Sequence, residues 1–395
     1  MKILVISQFF YPDITAAAYR VSETCELLRK FKHDVVVVTT NPHKGAIIDL
    51  DSSKRDSWVI RVPIVPYKGR GLFDYLIHYV SFLVMGIVCG YLKTRNWRPD
   101  VIWATTPPLS VGLLGSSLSR LLRAPLILDV RDVWPDSAVA AGMLRESTLS
   151  YRFAKRLETF LYKDAKRITC VSKPMKSYIG EKSEHTEVVS IYNGASSDTF
   201  VDPGKKRVIK EQIVYAGNLG RVQGLDTLLR AFNLLINENV DHGRDLVLIG
   251  DGVLRKEIER ESIVLGINDR VQFIGSIPKS TLITHLEESE ILFIGLDKHS
   301  SLELTIPSKV FDYMAIGRPI VAALAGEGRE ILGLCAENYL ASPGDVVAIK
   351  NGLKQQIEKS CVPAYVKCNI DLVRRRFTRE HSTRVLENLF HEVVM

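Results

Sequence analysis

Cysteine is scarce in this 395-residue chain: the six, at positions 25, 89, 170, 335, 361 and 368, form neither a CxxC nor a metal-ligand spacing. That excludes a disulfide scaffold and a zinc module, and it points to a reducing compartment. The apolar start, Met1 to Ile6, is too short for a signal-peptide core and is soon followed by Pro12 and Asp13, so a cytoplasmic protein is expected. No zinc-finger or RNP1 pattern occurs, which sets nucleic acid aside as a partner. One Asp-x-Asp exists, Asp49-Leu50-Asp51, in a polar stretch without a preceding strand, and the histidines are scattered, so no metal is expected. With 26 Gly, 16 Pro, 46% hydrophobic and 25% charged residues, the composition is that of a globular protein and excludes collagenous, coiled-coil or wholly disordered chains.

What is present is enough chain for more than one core, since single cores stop growing near roughly 250 to 300 residues. Short β-branched runs alternate with helical patterns: Ile3 to Ser7, a helix from Ala16 to Phe31, then Val35 to Thr40, Val101 to Ala104, Leu126 to Val130 and Ile168 to Val171. The pattern restarts at Ile213 to Ala216 and continues through Leu246 to Ile249, Val271 to Ile274, Ile291 to Ile294 and Pro319 to Ala323. Buried parallel strands alternating with helices predict two doubly wound α/β domains in tandem. Turn formers near 193 to 210 mark the linker, giving domains over 1–195 and 205–376 and an amphipathic helix over 377–395. In such sheets ligands bind beyond the carboxyl ends of the strands, so two facing sheets predict one cleft and two substrates.

The net charge of +7 is uneven, with 27 Lys and Arg against 19 Asp and Glu in residues 1–200. An anionic partner for the first half follows, with a membrane surface favoured over nucleic acid. Tyr75 to Leu92 holds no formally charged residue and is flanked by Lys68, Arg70, Lys93, Arg95 and Arg98. A spanning helix there would place strands of one sheet on opposite sides of a bilayer. Two alternatives stay open: a helix buried in the first domain, or one lying in a membrane interface. Tyr151 to Arg167 is a second basic and aromatic stretch.

The segment Leu304 to Val321 carries the densest chemistry. Pro307 pre-sets a helix start, Ser308 can cap it, and free N–H groups with Lys309 suit a diphosphate. Asp312, one turn on, can accept from ribose hydroxyls. The plain alternative is a capped helix with a Lys309–Asp312 pair. Tyr215-Ala216-Gly217-Asn218-Leu219-Gly220-Arg221-Val222-Gln223-Gly224-Leu225 follows a strand and opens a helix, with Arg221 as a phosphate fork. Leu248-Ile249-Gly250-Asp251-Gly252 and Val271 to Gly275 end two further strands at the same sheet edge, although Gly250 and Gly252 equally serve a turn.

Those motifs, in that order, resemble the second domain of retaining glycosyltransferases of the GT-B fold, family 4. Residues 7–20, 98–108 and 128–137 (LDVRDVWPDS) resemble first-domain segments of bacterial N-acetyl-fucosamine transferases of surface polysaccharide (O-antigen or capsule) biosynthesis. The resemblance implies a UDP-sugar donor, no cofactor or metal, and a lipid-diphosphate-linked saccharide acceptor at the cytoplasmic face of the inner membrane. It implies that Gly217, Asn218, Arg221, Gly224, Gly250, Thr305, Ile306, Ser308 and Lys309 line the donor site, with Ile274 at the base and Asp312 at the ribose. Small residues Ala16 and Ala17 after the first strand stand where the family's backbone approaches the diphosphate, and Tyr11 and Thr15 lie on the acceptor side. Of the family's two glutamates eight apart, Asp312 fills the second place and Leu304 stands at the first, with Glu303 adjacent as a substitute. Arg131 aligns with the family's histidine. It cannot act as a base, so it would fix charge or acceptor, while Asp132 would orient the acceptor hydroxyl or stabilise oxocarbenium-like charge. A local ion pair is the alternative for both. An epimerase of the same fold, a noncatalytic membrane-bound subunit and a nucleotide-sugar binding protein are the competing functions.

Overall fold

The computed structural model describes residues 1–42, 57–66, 72–201, 210–359 and 365–395. Asp49-Leu50-Asp51, Lys68, Arg70, Cys361 and the linker residues 202–209 lie outside the described residues. The chain divides into two compact units: Met1–Val139 with Met143–Asn193 and Arg379–Met395, and Ala140–Gly142 with Gly194–Thr378.

The first unit runs β1 (Lys2–Ile6), α1 (Ala16–Lys30), β2 (Asp34–Thr40), β3 (Val59–Val62), α2 (Leu72–Thr94), β4 (Val101–Thr106) and α3 (Leu109–Leu122). It continues through β5 (Leu126–Val130), α4 (Asp136–Ala140), α5 (Leu149–Asp164), β6 (Arg167–Cys170), α6 (Lys173–Ser183) and β7 (Val188–Ser190). Its sheet is parallel in the order β3-β2-β1-β4-β5-β6-β7.

The second unit holds β8 (Lys210–Ala216), α7 (Leu225–Asn237), β9 (Asp245–Ile249), α8 (Arg255–Val264), β10 (Val271–Ile274), α9 (Lys279–Glu288) and β11 (Ser289–Gly295). Then come α10 (Ser300–Glu303), α11 (Lys309–Ile316), β12 (Ile320–Ala323), α12 (Gly326–Gly333), β13 (Tyr339–Ala341), α13 (Val346–Lys359) and α14 (Lys367–Arg376). The order β10-β9-β8-β11-β12-β13 is again all parallel. The last helix, α15 (Arg379–Val394), belongs to the first unit. Both sheets reverse winding beside their first strand, at β1/β4 and β8/β11, the switch points where this architecture places ligands.

Sheet composition explains the cores. Ile3, Val5, Val35, Val37, Val101, Trp103 and Ile127 pack on Val21, Cys25 and Leu28 of α1 and on Leu386, Leu389 and Phe390 of α15. In the second unit Ile213, Tyr215, Leu246, Leu248, Ile291 and Phe293 meet Leu228, Phe232 and Leu235 of α7 and Ile349 and Leu353 of α13. Each such side chain contributes about 1.5 to 3 kcal/mol of burial.

The strands read from composition all form, while β3, β7 and β13, three short edge strands, do not announce themselves: each is three or four residues with only partial burial. The cysteine expectation needs correction, because Cys335 and Cys368 are joined by a disulfide across 33 positions, with Cα atoms 5.8 Å apart. Spacing carried no sign of it, since folding of α14 beside the end of α12 makes the two neighbours. Cys25, Cys89 and Cys170 are free.

Helix α2 is covered on one side only. Gly86 and Gly90 face α3, where a Cβ would come within 2.5 Å of Leu114 and 2.9 Å of Leu118. On the other side Val80, Val84, Val88 and Leu92, one residue per turn, are about half exposed. Only 28% of the window Ile77–Thr94 is buried, less than a mostly buried helix would show. The strands before and after it, β3 and β4, lie in one sheet, which holds α2 against that sheet's face.

Candidate functional site: two strand-edge half-sites

In the second unit the strand ends lock together through backbone. Gly217 N–H donates to Ile249 O (2.9 Å) and Gly250 N–H to Ile274 O (2.8 Å). Gly250 sits at φ +127°, and a Cβ there would lie 2.0 Å from the Gly217 carbonyl oxygen. Gly250 is therefore a packing glycine, and the Ile274 carbonyl is already engaged. The loop from Gly217 to Gly224 turns over the switch point and opens α7 from Gly224, at φ +60°. Asp297, beyond β11, stands beside it, with its N–H bonded to Val222 O at 3.1 Å.

Under that loop lies Lys309. Its Nζ is 4.0 Å from the Tyr215 ring centre and 3.1 Å from Gln223 Oε1, and a Cβ on Gly217 would approach it to 2.9 Å. No carboxylate pairs with Lys309 among the described residues, and burial alone depresses it to about 7. Tyr215, missed as a site residue in the sequence, fixes the platform: its hydroxyl donates to Asn218 O (2.7 Å) and lies 3.0 Å from Gln223 Oε1. Tyr313 does the same from α11, accepting from Ala216 N–H at 2.7 Å. Such fixed aromatic supports have no motif, since a strand tyrosine reads as core. Arg221 is exposed on the loop and has no carboxylate partner among the described residues.

Two expectations change here. Ser308 does not cap α11 with its side chain, because its own backbone is already helical (φ −56°, ψ −33°) and its carbonyl accepts from Phe311 N–H at 3.2 Å. Its hydroxyl therefore stays outside the helix's own bonding. Ile306 is 2% exposed, so its side chain is core. Thr305 and Asp312 are half-buried, and Glu303 is exposed at the end of α10. Gly317 (φ +72°) and buried Arg318, which donates to Glu287 O at 2.9 Å, end the helix and launch β12.

In the first unit, α1 starts at the β1 end of the switch point. Thr15 is its N-cap, accepting from Ala18 N–H at 3.1 Å, so that oxygen is committed to the helix. Ala16 and Ala17 expose the first turn, and Tyr11 is half exposed, with its carbonyl held by Arg61 at 2.7 Å.

Arg131 takes the local ion-pair role. Its Nη1 donates to Asp129 Oδ1 (3.0 Å), and its Nη2 donates to Asn193 Oδ1. Asp129, nearly sealed, also accepts from Arg20 (3.0 Å) and Thr169 (2.7 Å). Burial pushes the Asp129 carboxyl upward, but Arg131 and Arg20 outweigh it and hold it below the usual range. Arg20 in turn falls to about 9 through burial and the nearness of Arg131. A small pocket opens beside this network, lined by Arg20, Trp103, Arg131, Asn193, Arg379 and Thr383.

Asp132 behaves differently from its neighbour. Burial raises its carboxyl to about 6, against hydrogen bonds from Ser137 and the Val133 backbone. A carboxyl near 6 can take or give a proton close to neutral pH. The loop that holds it is pinned by Asp136, which accepts from Tyr151 (2.8 Å), Lys155 (2.7 Å) and Tyr178 (2.6 Å).

The chain is similar to known proteins. Residues 15–194 match a glycosyl transferase 4-like domain, and residues 210–359 match the glycosyl transferases group 1 family. "Probable glycosyltransferase WbjE" of Pseudomonas aeruginosa is 27% identical over 271 residues, 65% of this chain and 66% of that protein. "Putative colanic acid biosynthesis glycosyl transferase WcaI" of Escherichia coli K12 is 23% identical over 384 residues, 90% of this chain and 92% of that protein. The crystal structure of Anabaena HepE in complex with UDP and glucose superposes with a TM-score of 0.72 at 16% identity, covering 99% of this chain and 100% of that one. Two matched families in chain order, on two parallel-sheet units of the GT-B type, place the chain in the group 1, GT4-type glycosyltransferases.

Proposed function

We propose that the chain transfers a sugar from a UDP donor to a lipid-diphosphate-linked saccharide, with retention and without a metal, at the cytoplasmic face of a membrane. The observation that carries this is two cations with no carboxylate partner among the described residues, Lys309 beneath the glycine loop and Arg221 upon it. A desolvated ammonium without a counter-charge is costly, and a diphosphate supplies one. The N-terminus of α11 adds its N–H groups to the same anion. UDP bound in HepE supports the choice of nucleotide. Asp312 is assigned to the ribose and Glu303 to the sugar hydroxyls. The sequence resemblance favours an N-acetylated deoxyhexosamine such as N-acetyl-fucosamine.

In the reaction the C1–O bond to the diphosphate breaks and the C1–O bond to the acceptor forms on the same face. The acceptor proton passes to the departing phosphate oxygen. Lys309 and Arg221 stabilise the charge that develops on that oxygen. Asp132 orients the acceptor hydroxyl, and the exposed first turn at Ala16 and Ala17 offers N–H groups to anionic oxygens. Arg131 acts by holding Asp129 and Asn193 rather than as a reacting group.

The acceptor's lipid gives the membrane a role. The α2 stripe of Val80, Val84, Val88 and Leu92 is apolar and open, and Lys93, Arg95 and Arg98 are exposed at its end. Exposed Phe153 and Phe160 stand with Arg152 and Arg156 on α5. Apolar stripes edged by cations suit an anionic lipid surface, about 1 kcal/mol per basic residue.

The test is mass-spectrometric detection of transfer, with UDP- and other nucleotide sugars offered alongside a lipid-diphosphate N-acetylhexosamine acceptor. Acceptor-dependent product from a UDP-sugar is expected. Donor interconversion without acceptor would replace this reading by the epimerase, and UDP binding with no turnover on any pair would replace it by a binding protein.

A further inference from the structure

In the first unit, a group of side chains separate from the Asp129 and Asp136 networks converges. His33, in the turn between α1 and β2, places Nε2 2.7 Å from Glu387 Oε1. His391 follows Glu387 by four residues on α15, hence on the same helix face one turn on. The possible ligand atoms of the three residues all lie within 4.8 Å of one another.

We propose that His33, Glu387 and His391 form a binding site for a divalent cation of the zinc class, which fastens α15 to the turn after α1. Two imidazole nitrogens and one carboxylate oxygen suit a borderline-soft cation rather than magnesium or calcium. Three protein ligands leave one tetrahedral position for water.

The framework is built before any cation arrives. His33 has a side chain only 6% exposed and is fixed by its backbone N–H bond to Leu28 O at 3.1 Å. Leu386, Leu389 and Phe390 anchor α15 in the core on either side of Glu387. Arg384 holds the other carboxylate oxygen, Oε2, at 3.2 Å while lying over the Phe31 ring, so Oε1 is the oxygen left for a metal. Support of that kind orients a ligating carboxylate. Burial favours a protonated Glu387, but His33 and Arg384 prevail and keep it ionised.

A tetrahedral zinc with bonds of about 2.0 to 2.2 Å needs its donors roughly 3.5 Å apart. The His33–Glu387 pair, now 2.7 Å apart, must open by about 0.8 Å to admit the ion, and the exposed His391 ring swings in by rotation. With the ion on Nε2, the proton of the neutral His33 ring sits on Nδ1. The remaining ring nitrogen of His33, Nδ1, faces the Met1 amine at 3.4 Å.

Chelator-treated full-length protein titrated with zinc chloride in a calorimeter is the experiment. One site with a dissociation constant on the order of 1 µM is expected, weakened at least about tenfold in H391A and in E387Q. H391A changes an exposed residue, and its circular dichroism confirms the fold. Zinc should raise the melting temperature of the wild type and not of H391A, and cobalt(II) should give tetrahedral visible bands in the wild type alone. Absence of any site tighter than about 0.1 mM, or unchanged binding in folded H391A, overturns the proposal.

Discussion

The ammonium of Lys309 stands 4.0 Å from the centre of the Tyr215 ring. A cation over an aromatic face gains about 0.5 to 2 kcal/mol, less than hydration provides, so burial still depresses the lysine to about 7. On the proposed reading, a bound diphosphate would supply the counter-charge that Lys309 lacks among the described residues.

Lys309→Met should weaken UDP binding about 10- to 100-fold, the range expected for losing a charge-assisted bond. In the wild type, affinity should fall as pH rises from 7 toward 9, because the free lysine loses its proton across that window while the diphosphate binds the protonated form. Calorimetry in buffers of different ionisation enthalpy should show proton uptake near pH 7.5. A pH-independent affinity matching that of the methionine variant would remove Lys309 from the donor site.

Asp132→Asn should lower kcat about 10²- to 10⁴-fold with UDP affinity unchanged. The carboxyl titrates at about 6, so wild-type kcat should rise with pH through that value if the carboxylate is the working form. Ser137→Ala removes a hydrogen bond that holds the carboxyl down, and should move that rise to higher pH. A pH–rate profile of the three proteins decides it.

Arg131→Met should destabilise the protein by about 3 kcal/mol, since it leaves Asp129, 2% exposed at the side chain, short of one cation. UDP affinity should not move. Chemical denaturation beside UDP titration separates this from a direct donor role, in which affinity would drop with stability intact.

Val84→Glu with Val88→Glu should cut co-sedimentation with anionic vesicles without altering the melting temperature, both positions being about half exposed. Equal sedimentation of variant and wild type would take α2 out of any membrane face.

Gly250→Ala should cost more than about 2 kcal/mol, because the added Cβ meets the Gly217 carbonyl oxygen at 2.0 Å and the backbone stands at φ +127°. Reduced denaturant midpoint is the readout, and a stable variant would show that the two loops can separate.

Much of the fold was legible because parallel strands are buried on both faces. Val35 to Thr40 and Ile291 to Ile294 are near-continuous apolar runs, and such runs have few other uses. Edge strands such as Tyr339–Ala341 are short and half-covered, so their residues look like loop. The loop from Gly217 to Gly224 was legible through its glycines, and Lys309 through its charge, since turn geometry and charge are local properties. Tyr215 and Tyr313 were not, because a buried tyrosine carries no mark of what its hydroxyl meets. The Ser308 cap failed for a related reason: whether a serine caps depends on its own backbone angles, which the path of the chain into α11 sets.

The two-sheet architecture and the glycine loop are written in residues close together in the chain. These follow from periodicity and local conformational preference, which act over a few residues. It took the folded chain to show that Arg131 pairs with Asp129, that burial pushes the Asp132 carboxyl up to about 6, that Cys335 meets Cys368 and that α2 keeps an open stripe. Burial and charge pairing depend on distant segments brought together, and no window of sequence contains both partners.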